Sequence, residues 1–373
     1  MIKYALRFIF YDKPKSLGVI LGIIISIFLV GQQTGIFLFL TGAMSALVDN
    51  TDADIWVVDD QTTDVNSLGL IDIRSGREIA ALPGVTRAAP LVFSGGTAKF
   101  RNGKSSPVQV IGVQPPHFTG GPWNIISGNL MDLLEPGAVS ADVFDRPTLN
   151  EFEKGTQFEI NGQRVMISMV TRGVRGFGST YLFSTLSQAR RLGNIPSTKV
   201  NAFLVNLKQD VDPEAVCDWI DQNIFAVRAW LKKDFSRATV RTILSTSGIA
   251  LSIGTLILFA AFAGMVIIGL TMYSAAVERI QDYGTLKAIG ANNRYVRNLI
   301  LFQAVLFAVT GFGVAVLLIE AFRRGIASSG IIFEYSLLIK VIFLFITFVI
   351  SLGGAAFAMR RISKLEPASV FRR

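Results

Sequence analysis

Four long apolar runs punctuate the chain, and one long mixed stretch separates the first run from the other three. The first is Leu17–Leu40; at about 1.5 Å per helical residue it is long enough to cross a hydrocarbon core of about 30 Å. Phe235–Tyr273 is long for one crossing. It reads as a stalk, Phe235–Ser247, feeding a second span, so residues 242–273 serve as stalk and span. A helix unbroken along that length would be a rigid lever. The third and fourth spans are residues 299–319 and 336–358, with Gly353-Gly354 in the fourth allowing close helix packing. Residues 274–298 between them are polar, 320–335 form a short loop with Arg323, Arg324 and Ala327-Ser-Ser-Gly, and 359–373 are a basic tail. In residues 1–16, Ile2, Ala5, Leu6, Ile9 and Phe10 share one helical side among basic neighbours, which predicts an amphipathic helix on the membrane surface, broken by Pro14. The run that follows is too long for a secretory leader, and no small-residue cleavage site stands out.

Residues 41–241 alternate hairpin signals with short helices, which predicts an α+β domain large enough for its own core. Strands are expected at Ala53–Asp59, Val108–Val113 and Val200–Leu207. Asn102-Gly103 and Asn161-Gly162 sit between alternating runs and predict tight turns with positive φ. Helices are expected at Arg74–Ala81, at Thr185–Leu192, and from Pro213 through Trp219 with Asp212 as the cap. The predicted fold class is therefore an α-helical membrane protein with four transmembrane helices in a 1+3 layout, and a large α+β domain between the first and second.

Charge orients this layout. The net charge is +9, yet residues 41–241 hold 20 bases against 21 acids. The excess sits at 1–16, 274–300 and 360–373, with four, four and five bases against one, two and one acids. Positive-inside reasoning places both termini and the 274–298 loop in the cytoplasm and the α+β domain outside. No basic patch with interleaved aromatics points to nucleic acid. A 51% hydrophobic composition agrees with a membrane protein that has a sizeable polar part.

Two stretches carry candidate function. Gln32, Gln33 and Thr34 sit in the middle of the first span, flanked by Gly31 and Gly35. Amides in hydrocarbon need partners, so these residues either bond neighbouring helices or line a polar path. The second is Glu278–Gly290, E-R-I-Q-D-Y-G-T-L-K-A-I-G. Ile280, Tyr283, Leu286 and Ile289 recur at near-helical spacing, Gly290 ends the helix, and Asn292 or Asn293 can cap the next. By periodicity alone this is a short surface helix joining two spans.

Other chemistry is sparse. Asn102-Gly-Lys-Ser lacks the earlier glycine of a phosphate-binding loop, since Ala98 stands there. The single histidine, His117, has no spaced partners, and one His with one Cys makes no metal site. Cys217 is either a buried apolar residue or a reactive thiol. Gly176-Phe-Gly-Ser-Thr reads as a flexible turn. No catalytic, cofactor-binding or metal-ligating residue is expected.

The string Asp282–Ala291 resembles the signature of the MacB/FtsX-like (type VII) family of ABC transporter permeases, whose loop after the second span reads E-R-x-x-E-[IV]-G-x-x-[KR]-A-[IVL]-G-A. Glu278, Arg279, Gly284, Lys287, Ala288, Ile289, Gly290 and Ala291 match; Asp282 replaces Glu, and Tyr283 replaces Ile or Val. The tail, with Pro367, Ala368 and Arg372, and the 1+3 layout also resemble the family, and the ending and the Gln-bearing first span resemble its DevC-type exporter subgroup. The resemblance implies a multi-pass protein of the bacterial inner membrane with no ATPase site of its own. Glu278–Gly290 would dock on a separate ABC ATPase that holds ATP and Mg. It further implies a homodimer on two ATPase copies, mechanotransmission to the external domain, and export of a lipid, peptide or amphipathic compound. A membrane-fusion adaptor and a TolC-like outer-membrane duct are possible partners outside. An FtsX-like regulator of a cell-wall hydrolase and a lipoprotein-releasing LolC/E-like permease are the alternatives.

Overall fold

The computed structural model describes residues 13–278, 281, 285 and 292–362. The chain divides into two units, Met1–Phe39 with Ile249–Arg373, and Leu40–Gly248.

The helical unit contains α1 (Lys13–Asp49, whose last turns belong to the other unit), α6 (Ile249–Glu278), α7 (Asn293–Ala327) and α8 (Leu337–Ile362). Each includes a stretch long and apolar enough to cross a membrane. Val19, Ile23, Ile27 and Val30 recur at helical spacing on α1 and are buried in a core with Ile268, Ala304, Phe307, Ala315 and Ile350. Hydroxyls stitch the helices together: Ser26 donates to the Ala260 carbonyl at 2.8 Å, and Ser351 to the Ala304 carbonyl at 2.8 Å. In a medium without water such bonds have no solvent competitor. The outward faces carry Leu258, Phe259 and Phe262 on α6, and Leu337, Leu338 and Phe345 on α8.

The helix bounds differ from the sequence expectations in four places. α1 is already helical at Lys13 and runs through Pro14 without a break; the proline lies in the first described turn, where its missing N–H forfeits no described bond. Residues 1–12 of the expected surface helix lie outside the described residues. α1 also continues nine residues beyond Leu40, to Asp49. The expected lever is not one helix: α5 (Lys232–Ser247) stops at Gly248, whose φ of 67° is the left-handed conformation that glycine adopts at helix ends. Finally, Arg323 and Arg324 are not in a loop. They lie on the last turns of α7 and pair with Glu320 at 2.6 and 3.2 Å.

The α+β unit is built on an 11-stranded sheet. Its main path runs β13 (Val227–Leu231), β1 (Ile55–Asp59), β12 (Ala202–Leu207), β3 (Val85–Lys99), β4 (Ser105–Val113), β10 (Ser179–Thr185) and β9 (Arg175–Gly176). β5 (Ile125–Ser127), β6 (Ala138–Asp142), β7 (Gln157–Ile160) and β8 (Gln163–Thr171) extend it through the β3–β7 pairing. β2 (Ile71–Asp72) and β11 (Lys199–Val200) form a separate pair. β4–β10 and β6–β8 are parallel; the other pairings are antiparallel. Asn161 and Gly162, at φ 50° and 79°, close the β7–β8 hairpin in two residues, as their order predicts. Asn102-Gly103 differs: Lys99 pairs with Ser105, leaving a five-residue turn in which Asn102 Oδ1 accepts from the Lys104 N–H and Gly103 has positive φ.

Both sheet faces are covered, so β1 is buried on both sides. Ile55 and Val57 join the core that also includes Ile79 of α2 (Ser75–Ala80), Leu186 and Ala189 of α3 (Leu186–Gly193), and Val216 and Ile220 of α4 (Pro213–Asn223). Trp56 and Val58 point to the opposite face, into a core with Leu47 and Val48 of α1 and Phe235 of α5. The α4 cap is Asp212, which accepts from the Glu214 N–H at 3.1 Å ahead of Pro213.

Asp145 is the unit's unusual carboxylate. It is 1% exposed, it pairs with Arg175 at 3.1 Å, and its Oδ2 has no hydrogen-bond partner. Burial outweighs the Arg175 charge and raises its pKa from 3.8 to about 6, with Asp142 adding to the rise. The folded unit therefore prefers the neutral acid. That contribution is complete below about pH 4 and is lost as pH rises through about 6, a loss of about 2–3 kcal/mol. Asp145→Asn is expected to flatten this step. All four tryptophans, Trp56, Trp123, Trp219 and Trp230, lie in this unit, so urea denaturation followed by tryptophan fluorescence reads it in the intact chain. The variant gains stability relative to wild type between pH 4 and 6.5; a constant difference would show that Asp145 does not titrate in that window.

Candidate functional site

The polar interval after the second span begins where α6 ends, at Glu278, whose carboxylate pairs with Lys15 of α1. Gln281 and Thr285 are helical and exposed. The interval closes at Asn292: its backbone is extended, and its Oδ1 accepts from the Arg294 N–H at 3.2 Å. Of the two expected caps, Asn292 is the one used. Beyond it Arg294 and Arg297 are exposed, while Val296, Leu299 and Ile300 turn into the helical core. Arg279, Asp282, Tyr283, Gly284, Lys287, Ala288, Ile289 and Gly290 lie outside the described residues, as does the tail with Pro367, Ala368 and Arg372. The described flanks thus fix a short hydrophilic interval held between two long apolar helices.

The second candidate stretch is packed closely. Thr34 donates its hydroxyl to the Val30 carbonyl at 2.8 Å, the usual way a helical threonine satisfies itself in an apolar setting. Gln32 and Gln33 are half-buried. The Gly31 carbonyl accepts from the Tyr335 hydroxyl at 2.8 Å. A Cβ on Gly35 would stand 2.5 Å from the Phe333 ring and 2.6 Å from the Tyr335 hydroxyl, so only glycine lets these rings approach. Phe333, Tyr335 and Phe343 stack edge to face at 5.3 and 5.6 Å between centroids. Phe333 and Tyr335 lie in the expected loop, in the non-helical segment between α7 and α8, and their rings are buried. The available signal was their position, since aromatic residues next to an apolar span commonly anchor its end.

The remaining candidates separate by burial. His117 is exposed. Cys217 is buried on α4, and its thiol is pushed up to about 12 by burial and by Asp221, Asp218, Glu214 and Asp234. It therefore stays protonated and behaves as an apolar residue. Gly176 and Ser179 pair across the turn joining β9 to β10.

Two family models match this chain. A family described as the MacB-like periplasmic core domain matches residues 16–223, and one described as the FtsX-like permease C-terminal matches 243–367. The macrolide export ATP-binding/permease protein MacB of Bartonella quintana (strain Toulouse) is 23% identical over 94% of this chain. The chain spans 55% of that relative's length. Among solved structures, the periplasmic region of MacB from Actinobacillus actinomycetemcomitans is similar with a TM-score of 0.39 at 12% identity, covering 54% of this chain and 98% of that one. The extracellular domain of the noncanonic ABC-type transporter YknZ from Gram-positive bacteria gives 0.36 at 9%, covering 48% and 98%. With the two family matches together running from the first span to the tail, the chain belongs to the MacB/FtsX-like family of ABC transporter permeases, bacterial membrane proteins of the exporter type.

Proposed function

We propose that this chain is the inner-membrane subunit of an ABC exporter and that ATP is hydrolysed by a separate cytoplasmic polypeptide. The observation that carries the reading is the permease match over residues 243–367, which includes the whole of Glu278–Gly290. In this reading Glu278–Gly290 is a coupling helix. Arg279, Asp282 and Lys287 make polar contacts at the rim of an ATPase groove, Tyr283, Ala288 and Ile289 fill it, and Gly284 and Gly290 allow close backbone approach. ATP and Mg belong to that partner. The name of the relative MacB joins ATP binding and permease in one protein, and this chain spans only part of that length.

Two copies of the chain would engage two ATPases. The apolar outer faces of α6 and α8 offer surface for lipid and for the second copy. Closure of the ATPases moves the coupling helices, and α6 carries the motion outward. α5 ends at the left-handed Gly248, so the route outward runs through two helices and not through the single lever expected from sequence. The α+β unit then changes its engagement with cargo outside the bilayer, in DevC-like fashion alongside an adaptor and an outer-membrane duct. In this reading the half-buried Gln32 and Gln33, with Thr34, would meet the head of an amphipathic cargo. The test is turnover of the purified complex with its ATPase in the presence of candidate lipids and peptides. Stimulation of several-fold by one amphiphilic class is expected; turnover indifferent to every class, with the α+β unit instead activating a cell-wall hydrolase, would favour the regulatory alternative.

A further inference from the structure

Where β3, β7 and β8 meet, the α+β unit holds a cavity of about 190 Å³ lined by Lys99, Arg101, Glu159 and Arg164 over Phe100 and Phe158. Three of its four charged groups are cations. Strand register explains how they converge. Lys99 is paired with Glu159 across β3–β7, and Glu159 with Arg164 across β7–β8, so the three project from one face of neighbouring strands. Arg101 joins them from the five-residue turn after β3. Phe100 and Phe158 alternate to the buried side, 5.4 Å apart between centroids, and form the floor.

Exposed bases are ordinary on a protein surface, and a cross-strand glutamate between two of them would normally neutralise the row. Here it does not. Among the described residues Lys99, Arg101 and Arg164 take part in no ion pair, with Glu159 or any other acid. The cavity keeps a formal excess of two positive charges with its donors unspent. Guanidinium groups match the oxygens of phosphate and carboxylate with paired parallel bonds. The volume decides the size of the guest. Whole-ligand sites usually occupy about 300–1,000 Å³, so this one suits a head group and not an entire amphiphile.

We propose that this cavity is an oxyanion-binding site that takes a phosphate group, free or as the head of a lipid. The site lies wholly within the α+β unit and is independent of the coupling assignment, so the failure of either leaves the other standing.

The experiment is calorimetric titration of the full chain in neutral detergent at fixed ionic strength, with inorganic phosphate as one probe and short-chain dihexanoyl phosphatidate as the other. Saturable binding of at least one probe is expected. Arg101→Gln with Arg164→Gln should weaken it at least about tenfold, the factor attached to about 1.4 kcal/mol. Glu159→Gln should tighten it several-fold, and Lys208→Gln, an exposed base elsewhere on the unit, should leave it unchanged. Binding of inorganic phosphate assigns a free oxyanion; binding of phosphatidate alone assigns a lipid head group. All the substituted side chains are exposed, and unchanged tryptophan fluorescence would verify that the variants fold. The proposal is overturned if neither probe saturates, if the double variant binds like wild type, or if Lys208→Gln loses as much affinity as the double variant.

Discussion

Deletion of Gly284–Gly290 is expected to reduce recovery of the ATPase in a pull-down to background while the α+β unit keeps its native tryptophan emission. The expectation follows from position. The segment lies in the polar interval between the end of α6 at Glu278 and the Asn292 cap of α7. Those flanking helices hold their own places, through the Glu278–Lys15 pair on one side and buried Val296, Leu299 and Ile300 on the other. Removing the segment takes out the proposed docking element without removing a residue of either described core. A point substitution gives a graded version. The few hot-spot residues near the centre of an interface cost about 2 kcal/mol or more on truncation; if Ile289 fills the groove as proposed, Ile289→Ala should weaken ATPase binding by about 30-fold. Lys287→Gln, at the proposed rim, should mainly slow association and reduce its salt dependence. Full ATPase recovery after the deletion would remove the coupling role from this segment.

Phe235→Ala should destabilise the α+β unit by about 3–5 kcal/mol, the range for emptying a buried aromatic site. Phe235 is fully buried, 5.6 Å from the Trp56 ring and 5.9 Å from that of Trp230. It sits in the first turn of α5, between two other attachments. Lys232 donates from Nζ to the Thr51 carbonyl at 2.5 Å, and the Thr239 hydroxyl oxygen accepts from the Val65 N–H at 3.1 Å. Residues 232, 235 and 239 thus anchor one face of α5 to β1, β13 and the loops on either side of β1. For a unit of this size each kcal/mol shifts Tm by about 2–4 °C, so thermal unfolding followed by tryptophan fluorescence should move down by about 6–20 °C. Because α5 leads to Gly248 and then α6, the variant should also blunt cargo-stimulated turnover while ATPase binding persists. A small shift in Tm would mean that the hydrophobic contact between α5 and the sheet is secondary to its hydrogen bonds.

The elements that were legible in the sequence are those with local causes. Asn161-Gly162 closes its hairpin because both residues tolerate positive φ, and Asp212-Pro213 starts α4 because a carboxylate and a preset φ suit a helix N-terminus. Helix ends were harder wherever apolar sequence served two environments. Leu47 and Val48 extend α1 into the core of the α+β unit, and hydropathy does not distinguish a protein core from lipid. Arg323 and Arg324 looked like loop residues because they are charged, whereas Glu320 lies one turn back to pair with both. The parallel β4–β10 and β6–β8 pairings join segments far apart in sequence and leave no local trace. Gly248 was visible as a glycine, but the left-handed conformation that interrupts the expected lever belongs to the fold. Of the candidate site, the motif from Glu278 to Gly290 was legible as a string of residues. The basic cavity was not, because Lys99, Glu159 and Arg164 meet only once the strands are in register.

Sidedness is the most direct test of coupling to a cytosolic ATPase. A single cysteine introduced as Asn293→Cys, with the native Cys217 replaced by Ser, can be challenged with a membrane-impermeant maleimide. The label should be absent from intact cells and appear once the membrane is opened. Efficient labelling from outside intact cells would place the 278–293 interval on the wrong face of the bilayer and contradict coupling to a cytosolic ATPase.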